Sequence, residues 1–465
     1  MENRTLKFIA AGCTGELVKG SADEVVSRVC TDSRQAQAGD LFIALRGERF
    51  DAHDFLAEVA AKRVAAIIAE KAKLRSPLLA CAIITVDDTR KALNRLAAAY
   101  RADFKLPVIA VAGSNGKTTT KELVAAVLRQ RFNTLWSEAS FNNDIGVPLT
   151  LLRLESAHEA AVLELGTNHP GELAPLVDLV KPQLGIITNI GREHLEFFSD
   201  LAGVAAEEGA LAEWLPADGK LFLNGDNEWS AAIAKRAKAR AVRVGLNETN
   251  DWRARDIRVG PGGVSFQVDG PRAELAGEYR IQLLGRHQVT NALFAVGVGE
   301  ELGLGRPAVR DGLAECPPAK MRMQLWEHNG VRVLDDCYNA NADSVGAALQ
   351  TLMDLPCKGR RVAVLGDMAE LGAHTEPAHA EVGRRAAELG VGQLFAVGRQ
   401  AQVMASAARE AGLTRVIEFP DVEPAASALK HFVKSGDLVL LKGSRATRME
   451  RLCDSLRGKN GKNSG

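Results

Sequence analysis

The sequence predicts an α/β protein of three domains whose central domain contains a parallel sheet. Short runs rich in β-branched residues alternate with helical patterns along the chain, and this alternation is typical of parallel sheets covered by helices. A length of 465 residues corresponds to three domains at about 150 residues each. Hydrophobic residues make up 46% of the chain and charged residues 25%, which excludes a chain that is disordered throughout.

Prolines mark the two predicted domain boundaries. Pro107 directly precedes an apolar strand predicted at Val108–Ala112, and Pro317 and Pro318 lie in a linker predicted over 315–320. A second series of strands follows that linker, at 331–334, 361–365, 393–397 and 438–441. The predicted domains are therefore residues 1–104, 105–316 and 317–465.

Composition and charge exclude several classes of protein. Lysine plus arginine and aspartate plus glutamate each number 58, so the chain lacks the basic field of a nucleic-acid-binding protein. No apolar stretch approaches the ~20 residues that span a bilayer, and the N-terminus lacks the apolar segment of a signal peptide. The seven cysteines include no CxxC pair, which disfavours a disulfide framework or a cysteine-rich zinc site. We expect a cytoplasmic, monomeric enzyme with no nucleic-acid partner and no membrane span.

The strongest chemical motif is a phosphate-binding loop in VIAVAGSNGKTTTKELVAAVLRQ, residues 108–130. An apolar strand leads into a glycine-rich loop, and a helix follows, so backbone N–H groups and the helix dipole would point at a phosphate. Lys117 is placed to reach the β- and γ-phosphates, and the Thr118 hydroxyl is placed to hold Mg²⁺. The spacing departs from the usual motif because Val111 stands where its first glycine is expected.

Two further residues are candidate metal ligands beside this loop. Glu164 ends the apolar strand of AAVLELGTN, where an acid would meet Mg²⁺ opposite the loop. His194 follows the strand predicted at 184–188, but imidazole is not a preferred ligand of Mg²⁺, so a purely structural histidine stays open.

Glu208 is a third candidate because helical spacing places it on an apolar face of the helix predicted over 201–215. A carboxylate buried there costs several kcal/mol unless a cation compensates, which favours a metal partner, direct or through water. A helix at a domain edge that leaves the group hydrated is the alternative. The neighbouring Glu207 points about 100° away, and we expect it on a solvated face.

Taken together, the motifs resemble those of the Mur ligases, ATP-dependent enzymes that form amide bonds in peptidoglycan synthesis for the cell wall. The resemblance rests on GSNGKTT at 113–119, on Glu164 in ELGTN, on His194 in GREHLE and on GRHQVTN at 285–291. DDCYNANADS at 335–344 resembles the segment found in members that add D-alanyl-D-alanine to a UDP-MurNAc tripeptide. TDSRQAQAGDLFIALRGERFDAHDF at 31–55 is similar to their uridine-nucleotide domain, and GDMAELG at 366–372 and KGSRATRMER at 442–451 fit their C-terminal domain.

This resemblance implies both a fold and a reaction. The fold would be a smaller α/β N-terminal domain binding the UDP-sugar, a central ATP-binding P-loop domain, and a Rossmann-like C-terminal domain that binds the dipeptide and closes on ATP. ATP, with Mg²⁺, would phosphorylate the tripeptide carboxylate, and the amine of D-Ala-D-Ala would displace phosphate from the acyl phosphate. Closure of the three domains would use hinges near 105–107 and 315–320.

The resemblance also implies roles for individual residues. Asn291 would face the adenine, Asp336 the ribose and Arg322 the γ-phosphate. The implied catalytic residues are Lys117, Glu164, His194 and Arg322, and the implied metal ligands are Thr118, Glu164 and His194. Glu208 is added to these ligands as the candidate from the apolar helix face. The implied ATP-binding residues are Gly113, Ser114, Asn115, Gly116, Lys117, Thr118, Thr119, Asn291, Arg322, Asp336, Tyr338 and Asn339. The implied substrate-binding residues are Ser33, Arg34, Asn142, Asn143, Thr167, Lys442, Ser444 and Arg445.

Simpler structural roles remain open for several of these residues. Taken alone, Arg322 and Arg34 would be surface arginines, and Asn291 would be a helix residue facing solvent. The remaining polar residues would occupy turns, namely Ser33, Asn142, Asn143 and Asp336.

The chain departs from the family at Glu208, where a lysine carrying a CO₂-derived carbamate is usual. We hypothesise that the Glu208 carboxylate supplies the negative group directly. Activity would then not depend on bicarbonate.

Other functions remain as alternatives. A folylpolyglutamate synthetase is disfavoured because 112 residues precede Gly113, which is room for an extra substrate domain. A diaminopimelate- or lysine-adding Mur ligase is disfavoured by DDCYNAN. A P-loop nucleotide switch or motor would hydrolyse ATP without either acceptor.

Overall fold

The computed structural model describes residues 1–47, 49–74 and 79–458. Three successive units each contain their own main sheet, and we call them the first unit (residues 1–104), the second unit (105–316) and the third unit (317–458). Among the helices of the described residues, none combines the length and the apolar character needed to cross a bilayer.

The first unit is a five-stranded sheet in the order β2-β7-β6-β5-β4, with β2 antiparallel and the other pairs parallel. A short antiparallel pair, β1 and β3, lies beside it. Its elements are β1 (Arg4–Thr5), α1 (Leu6–Cys13), β2 (Glu16–Lys19), β3 (Val25–Val26), β4 (Val29–Cys30), β5 (Leu41–Ile43), α2 (Leu56–Ala61), β6 (Ala66–Glu70), β7 (Ala82–Val86) and α3 (Thr89–Arg101).

The second unit contains a nine-stranded sheet in the order β16-β15-β14-β13-β12-β11-β8-β10-β9. The strands from β9 to β14 are parallel, and β14, β15 and β16 form an antiparallel meander at one edge. Its elements are β8 (Val108–Ala112), α4 (Lys117–Leu128), β9 (Thr134–Trp136), α5 (Gly146–Leu151), β10 (Ala160–Glu164), α6 (Leu173–Val180), β11 (Leu184–Ile187), α7 (Leu195–Phe198), α8 (Leu201–Glu208), α9 (Ala210–Trp214), β12 (Lys220–Asn224), α10 (Ser230–Ala234), β13 (Arg240–Gly245), β14 (Trp252–Gly260), β15 (Gly263–Asp269), β16 (Gly277–Ile281), α11 (Gln288–Glu301) and α12 (Arg306–Glu315).

The third unit is a six-stranded sheet in the order β17-β18-β22-β19-β20-β21. The β17–β18 pair is antiparallel, and the remaining pairs are parallel. Its elements are β17 (Gln324–His328), β18 (Val331–Asp336), α13 (Ala342–Asp354), β19 (Arg361–Gly366), α14 (Thr375–Glu388), β20 (Gln393–Val397), α15 (Ala401–Glu410), β21 (Val416–Phe419), α16 (Val422–Phe432), β22 (Leu438–Lys442) and α17 (Glu450–Leu456).

The predicted strands are confirmed, several to the residue. The strands at 108–112 and 393–397 have the predicted bounds, and those at 331, 361 and 438 begin where expected. The strands at 108–112 and 393–397 are buried along their whole length, which is why their sequences are almost continuously apolar. The single helix predicted over 201–215 is wrong, because Gly209 separates α8 from α9 and the Arg236 guanidinium occupies the space beside it.

The units are joined in two different ways. One apolar cluster runs through the first and second units and includes Tyr100 of α3, Val147 of α5 and Val177 of α6. The Tyr100 hydroxyl also donates to the Leu154 carbonyl at 2.6 Å. Among the described residues, the buried members of the two clusters in the third unit come from that unit, apart from Leu284. The shared core disfavours the hinge predicted at 105–107, whereas the hinge predicted at 315–320 stays a prediction.

Asp437 provides a stability test within the third unit. It is 2% exposed and accepts hydrogen bonds from the Arg360 N–H at 2.8 Å, the Arg360 guanidinium at 2.6 Å and the Lys434 N–H at 2.9 Å. Burial opposes ionisation, but these bonds outweigh it and lower the pKa of Asp437 below its ordinary value of 3.8. A lowered acid pKa adds stability above that value and loses it as the pH falls.

Asp437→Asn should therefore lower the free energy of unfolding by about 1–3 kcal/mol at pH 7. The difference from wild type should shrink as the pH falls below 3.8. Urea unfolding, followed by circular dichroism at pH 7 and at a pH below 3.8, measures the free energy of unfolding of both proteins. Glu418→Gln, which removes an exposed ion pair with Arg409, is the control and should change stability by less than about 0.5 kcal/mol. Equal losses in the two variants would contradict the prediction.

Candidate active site

A cavity of about 990 Å³ opens where the three units meet. Arg90 and Asn94 of the first unit line it, together with the phosphate loop of the second unit and Tyr338 of the third. The predicted site residues that line it are Ser114, Asn115, Gly116, Lys117, Thr118, Thr119, Asn142, Asn143, Glu164, Thr167, His194, Asn291, Arg322, Asp336, Tyr338, Asn339 and Lys442. Most of the residues predicted from the sequence therefore meet in one place.

Two glycines allow the phosphate loop between β8 and α4 to fold as it does. Gly113 has φ of 109° and Gly116 has φ of 85°, in the region that favours glycine. A Cβ atom at 113 would lie 2.4 Å from the Thr188 hydroxyl, and one at 116 would lie 2.7 Å from the Asn291 side-chain oxygen. The loop therefore needs glycine at both positions for conformation and for space.

Hydrogen bonds from the loop backbone to Glu208 and Asn189 hold the loop in place. The Gly113 N–H donates to Glu208 Oε2 at 2.6 Å. The Ser114 and Asn115 N–H groups donate to the backbone and side-chain oxygens of Asn189 at 2.9 and 2.8 Å. These contacts fix the loop before any ligand binds, and α4 then begins at Lys117 with its positive dipole end at the cavity.

The Lys117 side chain places its ammonium group beside the phosphate loop. Its Nζ donates to the Gly113 carbonyl at 2.5 Å and lies 3.4 Å from Glu193 Oε2. Burial alone would lower the pKa of Lys117, but the nearby carboxylates of Glu193, Glu208 and Glu164 raise it. The ammonium group is therefore protonated and able to bind a polyphosphate.

Unpaired oxygens beside the loop fit a divalent cation. Thr118 Oγ1 and Glu164 Oε2 are buried and have no hydrogen-bond partner within the described part of the chain. A buried polar atom without a partner is costly, and hard oxygen donors are those Mg²⁺ prefers. His194 Nδ1 lies 2.5 Å from Glu370 Oε2, an arrangement that orients the ring of metal-binding histidines.

Glu208 supports the loop from outside the cavity lining. It is 1% exposed, and one of its oxygens accepts the Gly113 N–H bond while the other has no partner among the described residues. Burial raises the pKa of Glu208 to about 8, against the opposing charge of Lys117. The alternative of a hydrated group at a domain edge is wrong, and its role toward a metal stays a prediction.

The prediction of a solvated Glu207 is wrong. Glu207 is 8% exposed, and it accepts bonds from the Gly171 and Leu173 N–H groups, each at 2.7 Å, and from the Thr167 hydroxyl at 3.2 Å. The Gly171 and Leu173 N–H groups lie at the start of α6, where N–H groups have no partner within the helix. A capping role explains the burial, and helical spacing alone gave no sign of it.

The third unit contributes a second polar group of side chains. Lys442 Nζ lies 2.5 Å from Asp336 Oδ2, and the Arg322 guanidinium stacks 4.2 Å from the centre of the Tyr338 ring.

Asn291, in α11 of the second unit, is buried and forms hydrogen bonds with Gln288 and Thr120. The alternative of a solvent-facing Asn291 is therefore wrong.

Several predicted residues lie outside the cavity lining. Gly113, at the start of the phosphate loop, is buried. Arg34 is exposed, and its guanidinium donates to Asp32 through bonds of 2.8 and 2.9 Å. Ser33, Ser444 and Arg445 also do not line the cavity. Their substrate-binding roles stay predictions.

Other cavity residues were missed by the sequence analysis. Arg192, Glu193, Asn189, Glu370 and Asn341 all line the cavity. Each is placed there by contacts between distant parts of the chain. GREHLE and GDMAELG contain three of them, but no local signal distinguishes these residues from surface charges.

The fold and the site define a phosphate-loop nucleotide-binding enzyme. Three family models match in order: "Mur ligase family, catalytic domain" over residues 25–101, "Mur ligase middle domain" over 111–299, and "Mur ligase, glutamate ligase domain" over 321–445. The chain belongs to the Mur ligase family.

Individual relatives match over nearly the whole chain. An Escherichia coli protein named UDP-N-acetylmuramoyl-tripeptide–D-alanyl-D-alanine ligase is 38% identical, covering 97% of this chain and 98% of the relative. A crystal structure of MurF from Acinetobacter baumannii superposes with a TM-score of 0.90 at 34% identity, covering 99% of this chain and 100% of that one. MurF from Thermotoga maritima in complex with ADP gives a TM-score of 0.82 at 26% identity, covering 93% and 98%.

Gly113→Ala should weaken nucleotide binding about 10- to 100-fold, because the new Cβ would strain the backbone and displace Thr188. Calorimetric titration with ADP and Mg²⁺ measures the change. Gly390→Ala is the matched control, since Gly390 also has positive φ but has nothing within 4 Å of the added Cβ. Unchanged ADP affinity in Gly113→Ala would show that the loop geometry is not needed for binding.

Proposed function

We propose that the protein is an ATP-dependent ligase that joins D-alanyl-D-alanine to UDP-N-acetylmuramoyl-tripeptide, giving the UDP-MurNAc-pentapeptide used in peptidoglycan synthesis. The observation that carries the proposal is the full-length likeness to a relative of that name, in a chain whose predicted ATP-binding residues gather around one cavity. The complex of a similar protein with ADP supports a nucleotide at the phosphate loop.

Each unit would bring one reactant to the cavity. The domains proposed are 1–104 for the uridine nucleotide, 105–316 for ATP and 317–465 for the dipeptide. Holding reactants in line can lower the barrier by roughly 7–11 kcal/mol. We also propose that the enzyme acts as a cytoplasmic monomer.

The proposed reaction has two steps. A carboxylate oxygen of the tripeptide attacks the γ-phosphorus, the bond between that phosphorus and the β–γ bridging oxygen breaks, and ADP leaves. The dipeptide amine then attacks the acyl carbon and loses a proton. The tetrahedral species collapses by breaking the bond from carbon to the phosphate oxygen, which yields the amide and inorganic phosphate.

The side chains around the cavity suit charge that builds up on phosphoryl oxygens. Lys117 and the backbone N–H groups at the start of α4 would bind the β- and γ-phosphates, and Arg322 would reach the γ-phosphate from the third unit. Thr118, Glu164 and His194 would hold Mg²⁺, which supplies positive charge to the phosphates when bound. Asn291 and Asp336 would position the adenine and the ribose.

A coupled phosphate-release assay tests this function. Release should be fast only when ATP, UDP-MurNAc-tripeptide and D-Ala-D-Ala are all present. L-Ala-L-Ala and free lysine should not replace the dipeptide. Rapid ATP hydrolysis without either acceptor would support a nucleotide switch, and lysine-dependent release would support a lysine-adding Mur ligase.

A variant of Glu208 tests whether this residue replaces the carbamate-carrying lysine that is usual in the family. We propose that its carboxylate replaces a carbamate, so the ligase rate should be the same in bicarbonate-depleted and bicarbonate-supplemented buffer. Glu208→Ala should lower the rate at least about tenfold and raise the Mg²⁺ concentration needed for half-maximal rate. The exposed Glu418→Gln variant is the control. An unchanged rate and magnesium dependence in Glu208→Ala would remove Glu208 from the site.

A further inference from the structure

An arginine joins the second and third units beside the phosphate loop. Arg192, in the loop between β11 and α7, reaches two acids on separate helices of the third unit. Its Nε and Nη2 lie 2.9 and 2.6 Å from Asp343 Oδ1, and its Nη1 and Nη2 lie 2.6 and 2.9 Å from the Glu381 carboxylate. The Arg192 backbone N–H also donates to Asp343 Oδ2 at 2.8 Å.

This contact is unusually complete for an ion pair near the surface. The Arg192 side chain is 31% exposed, and Asp343 and Glu381 are 35% and 46% exposed. Exposed single pairs contribute little, but an arginine that forks onto two carboxylates fixes direction as well as distance. The geometry therefore sets how the third unit sits against the second.

Arg192 also belongs to the segment that supports the phosphate loop. Gly191 exchanges hydrogen bonds with the Ser114 hydroxyl, and the Ser114 N–H donates to the Asn189 carbonyl. The two residues after Arg192 are Glu193, which contacts Lys117, and His194, the candidate metal ligand. The segment that contacts the third unit is therefore continuous with groups that line the cavity.

Two further hydrogen bonds join the second and third units near Arg192. The Asn341 amide donates to the Asn115 side-chain oxygen at 2.9 Å, and the Glu196 N–H donates to the Glu370 carbonyl at 3.0 Å. Such a polar contact can open at a modest cost, in contrast to the shared apolar core of the first and second units.

We propose that Arg192 is a positioning residue that docks the third unit, through Asp343 and Glu381, and thereby holds the loop carrying Glu193 and His194 in place for phosphoryl transfer. Arg192 does not act on a reacting atom. The structural part of the proposal stands by itself, and only its kinetic part rests on the proposed function.

The test compares Arg192→Ala with Arg409→Ala. Arg409 makes an ion pair of the same 2.6 Å length with Glu418, but both residues lie within the third unit. The reporter is hydrogen exchange at the Glu196 amide, followed in peptides covering 189–199, because its bond to Glu370 crosses between the units without using any substituted side chain. Small-angle scattering gives the overall dimensions.

Arg192→Ala should speed exchange at Glu196 about tenfold or more and increase the radius of gyration, whereas Arg409→Ala should match wild type. Arg192→Glu should have a larger effect, and Arg192→Glu combined with Glu381→Arg should restore part of the protection. Such rescue shows that the variant chain folds and that the charge pair acts between the units.

In the ligation assay, Arg192→Ala should raise the KM for the dipeptide and lower kcat, so that kcat/KM falls about tenfold. The charge-swapped pair should recover part of this loss in kcat/KM. Exchange and scattering that match wild type in Arg192→Ala and Arg192→Glu would overturn the proposal. Altered exchange without any kinetic effect would overturn the kinetic part and leave Arg192 as a docking residue only. A wild-type protein that fails to ligate refutes the proposed function, while the exchange experiment still decides whether Arg192 docks the third unit.

Discussion

The site depends on a tight loop that places Lys117 and the start of α4 at the cavity and must keep its shape without a ligand. Glycines at 113 and 116 permit the turn, but they contribute no side chain that would hold it in place. Rigidity comes from outside the loop, from the carboxylate of Glu208 and the oxygens of Asn189. Strands β8 and β11 are neighbours in the sheet, so the segments that follow them are adjacent.

The positive charge of the loop is balanced by an unusual density of acids. Glu164, Glu193 and Glu208 surround Lys117, and all three are less than a tenth exposed. Burial raises the pKa of Glu208, and the Lys117 ammonium supplies a positive charge that opposes this rise. Within the described part of the chain, Thr118 Oγ1 and Glu164 Oε2 have no hydrogen-bond partner, which suits the divalent ion proposed for this site.

The sequence was most informative where local patterns determine structure. Fully buried parallel strands are continuous apolar runs, so 108–112 and 393–397 could be placed to the residue. The phosphate loop, Glu164 and His194 follow strand ends, which meet at one edge of a parallel sheet. Arg192 and Glu207 could not be placed in the same way. Their partners, Asp343 and the start of α6, are distant in sequence or are backbone groups, and nothing in the sequence near either residue distinguishes it from an ordinary surface charge.

The apolar core that α3 shares with α5 and α6 has a consequence for biosynthesis. As the chain emerges from the ribosome, the first unit cannot finish burying Tyr100 and its neighbours until the residues up to Val180 have been made. The core of the first unit is therefore completed only together with part of the second. The third unit draws almost all of its buried side chains from its own residues, so its core needs no such wait.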